Sequence, residues 1–428
     1  MKNKMKTLVS LILVLSCVLN VQAQVFTTTA KADMPMPISN NAVVAAQADG
    51  VNYVYSFGGI GTGKTHEDIV TDSYRYNTST DTWGIIPSLP DDPKIASGAS
   101  VVKNMIYIIG GYHVAANGTE VSSDKIHRFD PETNDYLEDG ASIPVPIDDQ
   151  VQAVWRDSLI YVVTGWSQDI NVIDVQIYNP TTDEWIEGTS LPTSHNFRSF
   201  GSSGVILNDT IYYFGGARIG ANFPVQANLR KGAINPENPS EIEWTQSVVN
   251  PDFVGYRMAA TVYDQKIFWI GGSEVTYNYD GIAYDGGGGV PPANRAIVYD
   301  TETGEMSSYD FVYPMDLRGV AEISDGKKYL VGGMENDQTV SDGCWELNYN
   351  PVDIIEYKQV DWIEDKNGHL YLEAYDKGYE WTCYTIDGRL LASGKQTGGV
   401  INIQNPSKGI FIISVKKGNE LIRLKRFF

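Results

Sequence analysis

The sequence predicts an all-β chain: a ring of six repeated four-stranded sheets, followed by a small β-sandwich at the C-terminus. Three landmarks that recur along its 428 residues carry this expectation. The first is a β-rich run closed by a glycine pair, as in Ile106-Tyr107-Ile108-Ile109-Gly110-Gly111. It returns at Gly59, Gly111, Gly165, Gly216, Gly272 and Gly333, in steps of 52, 54, 51, 56 and 61 residues. The second is an aromatic–Asx turn with another aromatic six residues on: Tyr76-Asn77 to Trp83, Phe129-Asp130 to Tyr136, Tyr178-Asn179 to Trp185. Asx side chains bond their own backbone and so start turns. The third is a Leu-Pro-like pair about 20 residues before the next glycines, at Leu89-Pro90, Ile143-Pro144 and Leu191-Pro192, where a strand can end without a backbone donor. A period of about 50 residues, with room for four short strands, marks a β-propeller.

The elements follow in chain order. Residues 1–23 read as a secretory leader. Lys2, Lys4 and Lys6 precede an apolar run from Leu8 to Val21, and Val21-Gln22-Ala23 offers a cleavage site. Cys17, after Leu15-Ser16, leaves lipid attachment open as the alternative. The leader is short for a membrane span, which needs about 20 apolar residues, and nothing later reaches that length. Residues 24–351 are the propeller. Its fifth repeat keeps the Asx spacing but puts Met306 where the ring belongs, and its fourth carries a three-residue insertion before Trp244. The sixth ends at Cys344-Trp345-Glu346-Leu347-Asn348, a third strand with no fourth after it. Residues 26–36 are therefore expected to supply the missing outer strand and join the two ends of the ring.

These landmarks resemble kelch repeats: Gly-Gly after the second strand, Tyr-Asp/Asn on the third and Trp on the fourth. The resemblance covers roughly residues 25–350 and implies a six-bladed kelch-type propeller. Residues 352–428 change pattern, with alternating strands around Leu370–Ala374, Trp381–Thr385 and Gly409–Val415. Ile386-Asp387-Gly388-Arg389-Leu390-Leu391, Ser407-Lys408-Gly409-Ile410-Phe411 and the basic end Lys425-Arg426-Phe427-Phe428 resemble the type A sorting domain of the Bacteroidetes type IX secretion system. The Pro-Asn-Pro opening common in that family is absent. This resemblance implies a secreted or cell-surface protein whose export machinery is a partner of the C-terminal domain.

Charge divides with the domains. The whole chain carries −21, residues 24–359 carry 19 Lys+Arg against 45 Asp+Glu, and residues 360–428 carry 10 against 8. A body this acidic is no reader of phosphate backbones. Three cysteines exclude a disulfide framework, and the five scattered histidines with so few cysteines give no metal site and no cofactor site.

Site candidates come from the connections over the channel. Lys94, Arg198, Arg257 and Arg318 precede the next glycine pair by 16, 17, 14 and 14 residues. If the repeats align on that count, four cations gather at one channel mouth and favour a carboxylate or sulfate. Pairing with a neighbouring blade is the competing role. The fifth-repeat insertion adds Glu274, Tyr277, Tyr279 and Tyr284, rings and carboxylates suited to sugar faces, or else a solvated loop tip. The expected function is a monomeric binding or adhesion module for a glycan or protein. The alternative is a sugar-acid epimerase of the N-acetylneuraminate type, since periplasmic sialic-acid epimerases are also six-bladed kelch proteins that use Glu and Arg. Glu274 with Arg257 or Arg295 would be its pair. Galactose oxidase, also kelch-like, needs a copper site that this chain lacks the His and Cys to build.

Overall fold

The computed structural model describes residues 26–323 and 326–349, and then the strands at 362–364, 370–372, 379–385, 390–396, 400–401, 410–417 and 420–427. The leader at 1–23 and the sorting motifs at 386–389 and 407–409 lie outside the described residues. The chain divides into two compact units between Asn350 and Pro351.

The first unit is a six-bladed propeller. Blade one is Ala42–Ala48, Val51–Ile60, Ile69–Asn77 and Thr82–Ile86, hydrogen-bonded in that order from the axis outwards. Blade two is Gly98–Val102, Met105–Ile109, Ile126–Asp130 and Asp135–Tyr136. Blade three is Val151–Trp155, Leu159–Val163, Val175–Asn179 and Glu184–Gly188. Blade four is Ser203–Leu207, Thr210–Phe214, Leu229–Asn235 and Asn238–Ser247. Blade five is Ala259–Tyr263, Lys266–Ile270, Arg295–Asp300 and Met306–Asp310.

Blade six has Ala321–Glu322, Lys328–Val331 and Cys344–Tyr349, and its outer strand is Phe26–Ala30 from the opposite end of the chain. The pairing runs antiparallel from Phe26 opposite Tyr349 to Ala30 opposite Trp345. The expected closure is thus present, carried by a shorter strand than the 26–36 span. Lys31 ties it to Glu346 at 2.9 Å, and Trp83 Nε1 donates to the Ala32 carbonyl at 2.7 Å.

The landmarks mark the joints between blades. Second strands are apolar on both faces because each is sandwiched between neighbouring blades: Ile106, Ile108 and Ile109 are fully buried. At each blade's glycine pair the chain turns against the segment entering the next blade. A Cβ on Gly110 would stand 2.2 Å from the Ile147 carbonyl oxygen, and the Gly111 N–H donates to that same oxygen at 2.9 Å. Blade three has Thr164 at the first glycine position, with φ of +48°. Its hydroxyl donates to the facing carbonyl of Ser199 at 2.9 Å, which offsets a conformation glycine adopts at no steric cost. The outer-strand tryptophan reaches back one blade: Trp185 donates to Ala141 and Trp244 to Thr189, at 2.7 and 2.9 Å. Blades one, three and four are therefore pinned to the blade before them at the outer strand as well as at the glycine pair.

The second unit contains two antiparallel sheets. Leu390–Gln396, Tyr379–Thr385, Ile410–Lys417 and Glu420–Phe427 form one; Trp362–Glu364, Leu370–Leu372 and Val400–Ile401 form the other. Cys344 and Cys383 are buried free thiols, one in each unit. No helix among the described residues is long and apolar enough to cross a membrane.

Candidate functional site

Successive antiparallel strands bring the second-to-third and fourth-to-first connections out on one face. Just before its inner strand, every blade makes the same isolated bridge to the residue after its glycine pair: Ser39 to Ile60, Ile95 to Tyr112, Asp148 to Trp166, Phe200 to Ala217, Tyr256 to Ser273 and Met315 to Met334. The next residue is left-handed in all six: Asn40, Ala96, Asp149, Gly201, Arg257 and Asp316, with φ of 54, 60, 48, 64, 50 and 62°. Backbone bonds link these positions around the axis. The Asn40 N–H donates to Asp316, Asp149 to Ala96, Gly201 to Asp149 and Arg257 to Gly201, at 2.8 to 3.2 Å.

Ala96 and Gly201 leave the centre of that ring open, and Arg257 fills it. Its guanidinium grips Asp149 with two bonds, 3.1 and 2.6 Å, and Asp316 with a third of 3.1 Å. Arg318 adds a contact of 3.2 Å to Asp149 and donates to the Gln150 carbonyl at 3.0 Å. Ser39 donates to Asp316 at 2.6 Å. Two cations and two carboxylates form a neutral, buried network joining blades three, five and six. Burial opposes the charge on Arg257, but Asp149 and the groups around it hold its pKa well above the ordinary range. Burial also raises Asp316, and Arg257 and Ser39 recover only part of that cost.

The fifth-blade insertion caps this network. Tyr277 is fully buried among Phe200, Tyr256, Met315 and Met334, its ring centroid 5.6 Å from the Arg257 guanidinium. Tyr279 packs on the cluster of Ile60, Ile95, Ala96 and Tyr112 from blades one and two, across the axis from its own blade. Tyr284 meets Phe223 edge-to-face at 4.8 Å, and Thr276 donates to the Phe223 carbonyl at 2.8 Å. The insertion is therefore a lid across the mouth.

The structure regroups the four expected cations. Arg257 and Arg318 share Asp149, and the other two lie elsewhere. Lys94 is buried between Asp91, at 3.0 Å, and His127 Nε2, at 2.9 Å. Lysine only donates, so Nε2 accepts and His127 Nδ1–H donates to Asp139 at 2.8 Å. Burial pushes the Lys94 amine down. It also opposes the charge on Asp91, but the Lys94 ammonium beside it holds that carboxyl well below its usual range. Arg198 bonds the Thr193 carbonyl at 3.2 Å. Lys94 and Arg198 stand two and three residues ahead of Ala96 and Gly201, whose blades have first hairpins as long as that of blade five, whereas Arg318 stands two residues past Asp316 because the first hairpin of blade six is two residues longer. The position equivalent to Arg257 is Asn40, Ala96, Asp149, Gly201 and Asp316, so repeat symmetry supplies one cation there. Glu274 pairs with Arg295 at 2.7 Å.

Asp149 and Asp316 were not singled out from the sequence. Their signal was present in Ile147-Asp148-Asp149-Gln150 and Met315-Asp316-Leu317-Arg318, each just before an inner strand. Neighbouring Asp148 is also buried and accepts from the Ser122 hydroxyl at 2.6 Å. Burial, with Asp149 beside it, holds its carboxyl well above the ordinary range. A carboxyl raised in the folded state contributes stability that is full below the unfolded pKa and is lost as pH rises towards the folded pKa. Asp148→Asn keeps an acceptor for Ser122 and removes the charge. It is expected to raise unfolding free energy at pH 8 by about 1 kcal/mol or more and to flatten its pH dependence. Urea titrations at pH 5 and pH 8 measure this; a variant weaker than the parent at pH 8 contradicts it.

Beneath the network the inner strands enclose a channel of about 450 Å³. Val44, Val101, Val154, Ile206, Val262 and Val320, one from each blade, are half-buried on its wall. Gln150, Ser202 and Arg318 line its end beneath the network, and Glu322, its side chain 56% exposed, lines the opposite end.

Comparison with known proteins agrees with this architecture. The KLHDC2/KLHL20/DRC7 Kelch-repeats domain matches residues 12–216. Kelch-like protein 25 of Xenopus tropicalis is 29% identical over 157 residues, 37% of this chain and 24% of that protein. Kelch-like protein 15 of Homo sapiens is 27% identical over 127 residues, 30% of this chain and 20% of that one. Kelch-like protein terF of Aspergillus terreus is 28% identical over 159 residues, 35% of this chain and 33% of that one. The chain thus spans a third or less of the length of these relatives. The solved structure of YjhT superposes with a TM-score of 0.59 at 14% identity, over 73% of this chain and 95% of that one, and shares the fold.

Proposed function

We propose that this chain is a binding module whose propeller engages a protein partner through the face carrying the second-to-third strand loops. One observation supports this most. Val121, Ile170, Val275 and Ile282 are exposed large apolar side chains on those loops. Among the described residues of the propeller, none lies in the turns of the opposite face. Exposed apolar groups rimmed by charge favour protein association. The loops at 61–68, 110–125, 164–174, 215–228, 271–294 and 332–343 hold twelve Asp and Glu against Lys64, Lys125 and Arg218. Complementarity therefore favours a partner with a basic rim. An anionic glycan is the weaker reading, because Arg257 is neutralised and lies under the lid.

A peptide array probed with the propeller tests the reading: binding should concentrate on basic peptides with an apolar anchor, weaken with salt, and fall in a Val121→Asp, Ile170→Asp double variant. Preferential binding to acidic peptides, or to sialylated glycans on a parallel array, would count against it. The epimerase reading requires an open cation and carboxylate, and proton-exchange NMR with N-acetylneuraminate is expected to show no rate above buffer. We further propose that the leader and the C-terminal unit direct export to the cell surface or medium. Truncation after Asn350 should then leave the protein in the periplasm; normal surface display would contradict that role.

A further inference from the structure

Glu120 is a carboxylate at the mouth for which the described residues supply no counterion. It lies on the blade-two hairpin, where Tyr112–Val114 pairs with Glu120–Ser122 and Val114 stands opposite Glu120. Directly opposed residues share one face of a hairpin, and so do alternate residues along each strand. Glu120 therefore shares a face with Tyr112, Val114 and Ser122. That face packs inwards: Tyr112 and Val114 meet Ile95, Ala96 and the lid residue Tyr279, and Ser122 donates to Asp148. Glu120 is nevertheless exposed. Among the described residues no hydrogen bond or ion pair reaches its carboxylate. Burial pushes this carboxyl up, Arg257 offsets part of the rise and Asp149 adds to it. A side chain that solvent reaches and protein still crowds lies in a recess. Arg257 is no partner for it, because Asp149 and Asp316 already take three of its N–H groups.

Tyrosines surround the recess. Burial raises the phenols of Tyr112, Tyr279 and Tyr284, and the Glu120 charge adds to the rise in each. An acid among aromatic rings selects its ligand by charge. An anion is repelled, and a neutral polar group leaves the carboxylate without a counterion. A guanidinium or ammonium pairs with the carboxylate and lies against the rings at once. The surrounding loops, with their excess of acids, raise the local concentration of a cation. Val121 on the hairpin and Ile282 on the lid are exposed, and such apolar groups favour a cation carried by a protein chain over a free amine.

We propose that Glu120, with Tyr279 and Tyr284, receives an arginine or lysine side chain of the partner protein, between the blade-two hairpin and the lid. This rests on the protein-binding reading of the loop face and names the group on the partner that the face selects. Saturation-transfer NMR on the full chain, with acetyl-Val-Arg-Val-amide as the probe, tests it directly. The peptide should bind, and its counterpart with citrulline in place of arginine should bind about tenfold more weakly. Glu120→Gln keeps the shape and removes the charge of an exposed residue. It should weaken the arginine peptide about tenfold and leave the melting temperature that of the parent. Tyr284→Leu keeps an apolar contact with Phe223 and should weaken the peptide severalfold. Butylguanidine, the same head without a peptide, should bind more weakly than the peptide. Four results would overturn the proposal: no binding of the arginine peptide, equal binding of the citrulline peptide, an affinity unchanged in either variant, or tighter binding of butylguanidine, which would assign the recess to a free amine. The peptide array separates the two readings. Peptides that lose binding to the Val121→Asp, Ile170→Asp double variant but not to Glu120→Gln keep the face and remove the recess.

Discussion

Arg257→Met is expected to lower the unfolding free energy by about 3–5 kcal/mol, the cost of removing one partner from a buried ionic network. Methionine keeps most of the length and the packing on Tyr256 and Tyr277, so the loss reports charge rather than a cavity. Asp316 would face Ser39 and Tyr277 with no cation, and Asp149 would keep only Arg318. The sign of the pH dependence separates this from a packing defect. Without Arg257, burial raises the Asp316 carboxyl further above its unfolded value. The protonated form is then favoured in the folded state, and the deficit should shrink as pH falls from 7.5 towards 4.5. Urea denaturation of parent and variant at both pH values measures this. A midpoint unchanged at pH 7.5, or a deficit that grows in acid, refutes the assignment. Adding Asp316→Asn should restore part of the loss, since it removes the carboxylate left without a cation while Asp149 keeps Arg318.

Removing residues 24–37 is the second change with a large expected effect. It strips the outer strand from blade six and removes the Lys31–Glu346 and Trp83–Ala32 contacts. Five paired residues at about 1 kcal/mol each, with 2–4 °C lost per kcal/mol, put the fall in melting temperature at roughly 10 °C or more. The single cooperative transition should also be lost, because the ring becomes an open arc. The newly exposed edge of Cys344–Tyr349 is a template for pairing with other chains, so the truncated protein should self-associate. A synthetic peptide of residues 24–37 should restore both the transition and the monomer by adding back as a strand. An unchanged melting curve for the truncated protein would sink the idea that this strand holds the ring.

The ring was legible because its landmarks are local. A glycine pair follows the second strand wherever the backbone must pass close to the next blade, and the outer-strand tryptophan lies six residues beyond its turn. Even the closure could be read, since the sixth repeat stops one strand short and the first begins with a strand to spare. The charge network was not legible in the same way. Arg257 meets acids 108 and 59 residues away, and no local pattern records such a pairing. Lys94 and Arg198 lie 16 and 17 residues before their glycine pairs against 14 for Arg257, two and three positions ahead of the ring, and so were grouped with residues they do not approach. The lid tyrosines were legible as a group, but their role was not. An insertion rich in Tyr, Gly and Asp reads as a solvated tip until the ring is closed and its curvature brings Tyr279 over blades one and two.

The strand Phe26–Ala30 also sets an order of events during synthesis. It leaves the ribosome near the start of the chain, and Asn348, whose side chain bonds Thr29, follows 319 residues later. Every other blade completes itself from consecutive strands within its own repeat, so five blades can form while the sixth waits. The ring cannot lock until almost all of the propeller has been made, and until then blade six presents an open edge to whatever holds the nascent chain.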